Sequence, residues 1–249
     1  MAFSHSPKIV TDGLVMCLDP ADKNCYGGSG TVATDLSGKS HTGTLTNANV
    51  GTTASGVFSF DSSQYITFVD GADFTFGTGQ FAIEQWLNFV SFYPDSDTWM
   101  SSFQIYRVEG DRHGIFTFTY NSNNPDWRLE SSVNGCYPAI ILLGDHGVGL
   151  NEWHLFTVSR QAEASLKQYI DGKLIQEMTT SNGNAAPRGP TYNTDWAFID
   201  GTGYIGNYAS RDLHEFEGKI GPTRVYKGRA LSDAEVLQNF NAQRGRFGV

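Results

Sequence analysis

Hydrophobic positions along this chain recur with a period of two over short stretches, and with a helical period only near the C-terminus. Phe81-Ala-Ile-Glu-Gln-Trp-Leu-Asn-Phe-Val90 is the strongest of the short stretches. Phe81, Ile83, Gln85 and Leu87 fall on one face, and Ala82, Glu84, Trp86 and Asn88 on the other. Bulk on both faces predicts a central strand. The run Leu14-Val-Met-Cys-Leu18 is apolar throughout and predicts a strand shielded on both faces. In 113–120, Ile115, Thr117 and Thr119 oppose Phe116, Phe118 and Tyr120. Further strands are predicted at 42–45, 57–60, 65–68, 99–108, 127–133, 153–160, 204–205 and 219–226. Segments 166–170 and 174–178 are joined by Asp171-Gly172, a hairpin signal. Residues 181–195, with Asn182-Gly183, Pro187 and Gly189-Pro190, predict a long loop.

One helix is expected, after Ser232. Ser232 and Glu235 have capping-box spacing, and Leu231 and Val236 sit at the two positions of a hydrophobic staple. Ala234, Leu237 and Phe240 continue from Leu231 in steps of three, which predicts that Leu237 and Phe240 face the body of the protein. Gly245 is the predicted stop, with Arg244 and Arg246 at the negative end of the helix dipole. About a dozen short strands, turns every eight to twelve residues and one C-terminal helix predict an all-β, two-sheet antiparallel sandwich. No linker or internal repeat is evident. The expected organisation is an N-terminal arm over 1–8 and a single domain over 9–249.

Composition agrees with that class: charged residues are only 17% and aromatics reach 13% of the 249 residues. The formal charge of −9 is uneven, since residues 1–200 carry 10 Lys/Arg against 21 Asp/Glu and residues 201–249 carry 7 against 5. An acidic body argues against nucleic acid or an anionic membrane as the main partner. Cys17, Cys25 and Cys136 fit neither a disulfide framework nor a zinc motif, and Cys17 reads as a small buried hydrophobe. No apolar run approaches membrane-spanning length, and residues 1–7 lack the basic and apolar regions of a signal peptide.

Four stretches, in order, resemble one family. Leu14-Val-Met-Cys-Leu-Asp-Pro20 with Asp35-Leu-Ser-Gly38 is similar to the opening of laminin-G-like domains in the concanavalin A-like lectin/glucanase superfamily. Phe81-Ala-Ile-Glu-Gln-Trp86 resembles their central strand. Trp153-His-Leu-Phe-Thr-Val158, followed by Tyr169-Ile-Asp-Gly-Lys173, resembles their hairpin, and the stretch from Gly218 to Phe240 their ending. The resemblance implies a jelly-roll sandwich with the helix lying over one edge. Single-domain chains of this kind look like structural proteins of tailed bacteriophages, marine ones included. That implies a virion protein on the exterior of capsid or tail, made in the host cytoplasm, with other virion proteins as partners.

The superfamily includes glucanases, which makes carboxylate pairing the first test. A retaining glycosidase needs two carboxyl groups about 5 Å apart. The chain has no E-x-D-x-x-E motif; Glu84 has Ala82, Trp86 and Asn88 beside it on its strand face. No G-x-S-x-G accompanies His146, and the histidines lack zinc spacing. The expectation is a protein that is not an enzyme and requires no cofactor. Calcium stays open, with Asp19, Asp22, Asp35, Asp95 and Asp97 as weak loop ligands, although such residues more often form turns. Contact with a glycan or a partner is assigned to loop aromatics Tyr93, Trp127, Tyr137, Tyr192 and Trp196, whereas Trp86 and Trp153 read as core. The function expected first is a non-enzymatic virion structural protein, a homo-oligomer being compatible with such a role. The alternative is a lectin or adhesin for host-surface polysaccharide, and a degenerate glucanase is the remote third.

Overall fold

The structure is a computed structural model that describes residues 7–46, 56–61, 64–69, 71–92, 99–106, 112–121, 124–131, 136–161, 165–179, 196–197, 202–207 and 216–249. Among these the chain forms β1 (Leu14–Leu18), β2 (Val32–Ala33), β3 (Gly43–Thr46), β4 (Phe58–Asp61), β5 (Tyr65–Val69) and β6 (Thr75–Gly77). Then come β7 (Phe81–Phe89), β8 (Trp99–Tyr106), β9 (Arg112–Asn121), β10 (Asn124–Ser131), β11 (Cys136–Leu142) and β12 (Trp153–Gln161). The last elements are β13 (Ser165–Ile170), β14 (Lys173–Thr179), β15 (Trp196–Ala197), β16 (Thr202–Ile205), β17 (Glu217–Lys227) and α1 (Asp233–Phe247).

Two antiparallel sheets result, as the alternating pattern predicts. A seven-stranded sheet runs β1-β17-β7-β12-β13-β14, with β4 also on β17. An eight-stranded sheet runs β11-β10-β9-β8-β16-β5-β3-β2, and β15 pairs with β6 apart from both. β7 is the predicted central strand, buried along its whole length between β17 and β12. Its Ile83, Leu87 and Phe89 join Phe156 and Val158 of β12 against Ile66, Phe68, Phe103, Phe118 and Trp127 of the other sheet. The contact between sheets is largely aromatic: Phe89 meets Phe118 edge-on at 4.9 Å, and Trp127 meets Phe156 at 5.1 Å. β1 is an edge strand, yet it is shielded as its apolar run predicts. The turn after β2 covers it, with Leu36 N–H donating to Cys17 O and Ser37 Oγ to Val15 O.

The helix does not lie over an edge. It lies on the outer face of the seven-stranded sheet, over its middle strands. Trp86 of β7 stacks with Phe240 at 5.7 Å and with Phe247 at 4.2 Å, and Leu155 of β12 shares that cluster. Tyr169 and Tyr226 form a second cluster with Leu231 and Val236. The capping box forms as predicted, Glu235 N–H donating to Ser232 Oγ and Ser232 N–H to Glu235 Oε2. Two expectations are corrected. Leu237 is 46% exposed, because steps of three lag the helix by about 60° each and leave the buried stripe. The stripe is Val236, Phe240, Gln243 and Phe247, whose steps of four, three and four track 3.6 residues per turn. Gly245 is no stop: the helix continues to Phe247, held by its stacking on Trp86, and is capped by Gly248 at φ 76°. Gly221 makes room for this anchor, since a Cβ there would lie 2.9 Å from both the Phe247 ring and Trp86.

Strands β2, β6, β11 and β15 were not expected. Two have only two residues each, too short for any period to register.

Candidate functional site

With one sheet covered by α1, the outer face of the eight-stranded sheet is accessible among the described residues on β3, β5 and β16, whereas Gln104 on β8 and Asp126 on β10 are wholly buried there. Strict alternation builds this face. Ile66 and Phe68 of β5 enter the core, so Tyr65, Thr67 and Val69 point outward, and Ile205 turns Tyr204 outward in the same way. Register then aligns side chains from four strands in one row. Thr44 of β3 faces Thr67 of β5, Thr67 faces Tyr204 of β16, and Tyr204 faces Gln104 of β8. The rings of Tyr65 and Tyr204 lie 6.0 Å apart, tilted by 45°. Thr44 is exposed, Thr67, Tyr65 and Tyr204 are half-buried, Gln104 is wholly buried, and Val69 at the margin is 77% exposed. Farther along the sheet, Asp126 and Arg128 flank Trp127 on β10. Arg128 donates from Nε to Asp126 Oδ1 at 2.9 Å and from Nη2 to Oδ2 at 2.8 Å, a bidentate pair.

The residues expected to make contacts are placed differently. Trp127 is corrected outright: it is 0% exposed, on a strand, stacked on Phe116 at 5.5 Å. Asp126 and Arg128 take the polar side of β10, so alternation sends Trp127 into the core. Tyr137 lies in β11 and Trp196 in β15, both in paired strands and not in loops. Tyr93, Tyr192, Asp95 and Asp97 lie outside the described residues. Asp35 accepts hydrogen bonds from the amides of Cys17, Ser37 and His41 and from the Ser37 hydroxyl, the bonding of a turn-former. Asp22 accepts from Asn24 N–H, and Asp19 receives Arg246 Nη1 at 2.8 Å. Among the described residues no group of three or more His, Cys, Asp or Glu converges as a metal site.

Glu84, the acid of the central strand, sits at the other face, wholly buried beneath α1. Asn239 of the helix donates to its Oε2 at 2.8 Å, and Arg224 Nη1 lies 3.5 Å away. Burial pushes its carboxyl above the ordinary range, while Arg224 and the hydrogen bonds from Asn239 and Thr157 pull it back.

Tyr65 and Tyr204 escaped sequence reasoning, because 139 positions separate them and only register brings them together. The available signal was local: in Tyr65-Ile-Thr-Phe68 the polar residues fall on one side of a short strand.

Residues 60–237 match the sequence profile of the concanavalin A-like lectin/glucanases superfamily, laminin G type. The chain belongs to that family. No curated protein matches it. Among solved structures it is similar to the receptor-binding domain of botulinum neurotoxin C/D mosaic serotype (TM-score 0.62, 15% identity, 94% of this chain and 52% of that one). It therefore spans about half of that domain. It is also similar to Trypanosoma rangeli sialidase in complex with sialic acid (TM-score 0.63, 14% identity, 98% and 36%). A third similar structure is domain 4 of AbnA, an extracellular GH43 arabinanase of Geobacillus stearothermophilus, in complex with arabinotriose (TM-score 0.62, 15% identity, 91% and 97%). At these identities the likeness is one of fold.

Proposed function

We propose that this protein is a non-enzymatic carbohydrate-binding module whose ligand lies across the outer face of the eight-stranded sheet. One observation carries the reading: the Tyr65–Tyr204 pair stands beside the hydroxyl side chains of Thr44 and Thr67 on a solvent-accessible part of the sheet face. Aromatic rings offer the apolar faces of sugars a surface, and neighbouring hydroxyls exchange hydrogen bonds with sugar hydroxyls. A rigid sheet holds these groups in place without ordering cost on binding. The arabinanase domain bound to arabinotriose shares the fold at nearly full length, which supports the reading by analogy.

Non-enzymatic binding is favoured by the state of two acids, Asp126, which holds Arg128 in a bidentate pair, and Glu84, which is sealed under α1. In this reading the face binds its ligand without calcium. The virion setting implied by the resemblance would place this face on a particle exterior, where cryo-microscopy of purified particles would locate it.

A glycan array with and without EDTA tests the reading. Binding to at least one glycan is expected, insensitive to EDTA and lost when Tyr65 and Tyr204 are both changed to Ala. Glycan binding that survives the double change would remove the sheet face from the proposal.

A further inference from the structure

Charge is distributed unevenly over the eight-stranded sheet. Its four consecutive strands β8, β16, β5 and β3 read WMSSFQIY, TGYI, YITFV and GTLT, and contain no Asp, Glu, Lys, Arg or His. Gln104 of β8 is wholly buried, so the accessible part of this uncharged zone spans β16, β5 and β3, two strand spacings or roughly 10 Å. That accessible part holds Thr44, Thr67, Tyr65 and Tyr204. Charged side chains return on the next two strands, and in the described pair there the buried Asp126 carboxylate takes two of the Arg128 guanidinium's N–H groups.

We infer, resting on the sheet-face reading above, that the ligand is a neutral polysaccharide, and that sialylated, uronic-acid and sulfated glycans are excluded from this face. A carboxylate or sulfate laid on the uncharged zone would give up hydration and meet no cation from these four strands in return, a cost that rises with burial. The chain's net charge of −9 repels anionic polymers as they approach, over a screening length of about 8 Å at physiological salt. Neutral sugars meet neither penalty. Their hydroxyls both donate and accept, as do the threonine and tyrosine hydroxyls of the row. Recognition by neutral hydrogen bonds and ring contacts also predicts a weak dependence on salt.

Affinity electrophoresis in gels containing linear arabinan or a mixed-linkage β-glucan, against gels containing polygalacturonate, polysialic acid or heparin, tests the inference. The wild type, Tyr204→Ala and Thr44→Arg are compared, the last at an exposed position that leaves the core untouched; thermal melts confirm folding. The expected result is retardation by a neutral polymer, at least tenfold weaker for Tyr204→Ala and for Thr44→Arg, changed less than twofold between 50 and 300 mM salt on the order of ordinary screening ranges. No retardation is expected in the anionic gels. Retardation by an anionic polymer that Tyr204→Ala weakens overturns the neutral-ligand inference while keeping the sheet face. Retardation indifferent to both variants, or none in any gel, overturns the sheet-face reading and the inference with it.

Discussion

Glu84 illustrates how a single buried residue can serve structure where its family suggests chemistry. An acid in the central strand of a glucanase-like fold invites a catalytic reading. Here Asn239, Thr157 and Tyr226 surround the carboxylate with Arg224, and α1 closes over it. Removing one partner of a buried ion pair typically costs 3–5 kcal/mol, because the other charge is left uncompensated. The sign of its pH dependence follows from its raised proton affinity. Relative to an ordinary value of 4.5, the folded state holds the Glu84 proton more tightly than the unfolded state. Its contribution to stability is therefore full below about pH 4.5 and declines as pH rises through the folded value. Glu84→Gln abolishes this titration. Urea unfolding of the two proteins from pH 4 to 8, roughly the span over which a buried acid titrates, is expected to show the wild type losing ground to the variant as pH rises. An advantage that grows with pH would mean that Arg224, and not burial, dominates.

Helix α1 is an element whose stability is borrowed from the sheet, since fifteen residues are marginal alone. Its buried stripe makes separable predictions. Phe240 is 8% exposed and stacked on Trp86, so Phe240→Ala should cost ~3 kcal/mol in chemical unfolding. Leu237→Ala should cost less than about half a kcal/mol, as expected of a surface change. Equal costs for the two would place the stripe elsewhere. Ser232→Ala should cost ~1 kcal/mol, the usual value of an N-cap. Asp233, at the first turn, accepts from Lys167 and Tyr169, which hold its carboxyl below the ordinary range. The sheet thus grips the helix at its start through hydrogen bonds and at its end through Phe247.

At the scale of the whole molecule, the two sheets of the sandwich carry different elements on their outer faces. One sheet carries α1 and the segment from Lys8 to Gly13, which bonds to the helix through Gln238 and Asn239 and to β17 through Lys227 N–H. The other sheet carries the Tyr65–Tyr204 face. An interior of interlocked aromatic rings separates them. Phe240→Ala should therefore lower the melting temperature yet leave polysaccharide affinity within about twofold where the protein is folded, as distant independent sites behave. Affinity that falls in step with stability would show the faces to be coupled.

The division between what the sequence alone determined and what the tertiary structure decided follows from range. Period-two alternation around residues such as Ile83 and Phe118, the Asp171-Gly172 hairpin and the Ser232–Glu235 capping box are encoded within a few positions, so strands, hairpin and helix start were legible. The four matching stretches carried the family. The candidate site was not legible, because register alone joins Thr44, Thr67 and Tyr204 of β3, β5 and β16. Trp127 was misplaced for a related reason: whether a tryptophan beside a turn meets solvent or core depends on which sheet its strand joins. The face on which α1 lies, the burial of Glu84 and the uncharged zone around Tyr204 all arise from elements far apart in the chain. Local periodicity fixes which side chains share a strand's face; only packing of the two sheets decides which face meets water.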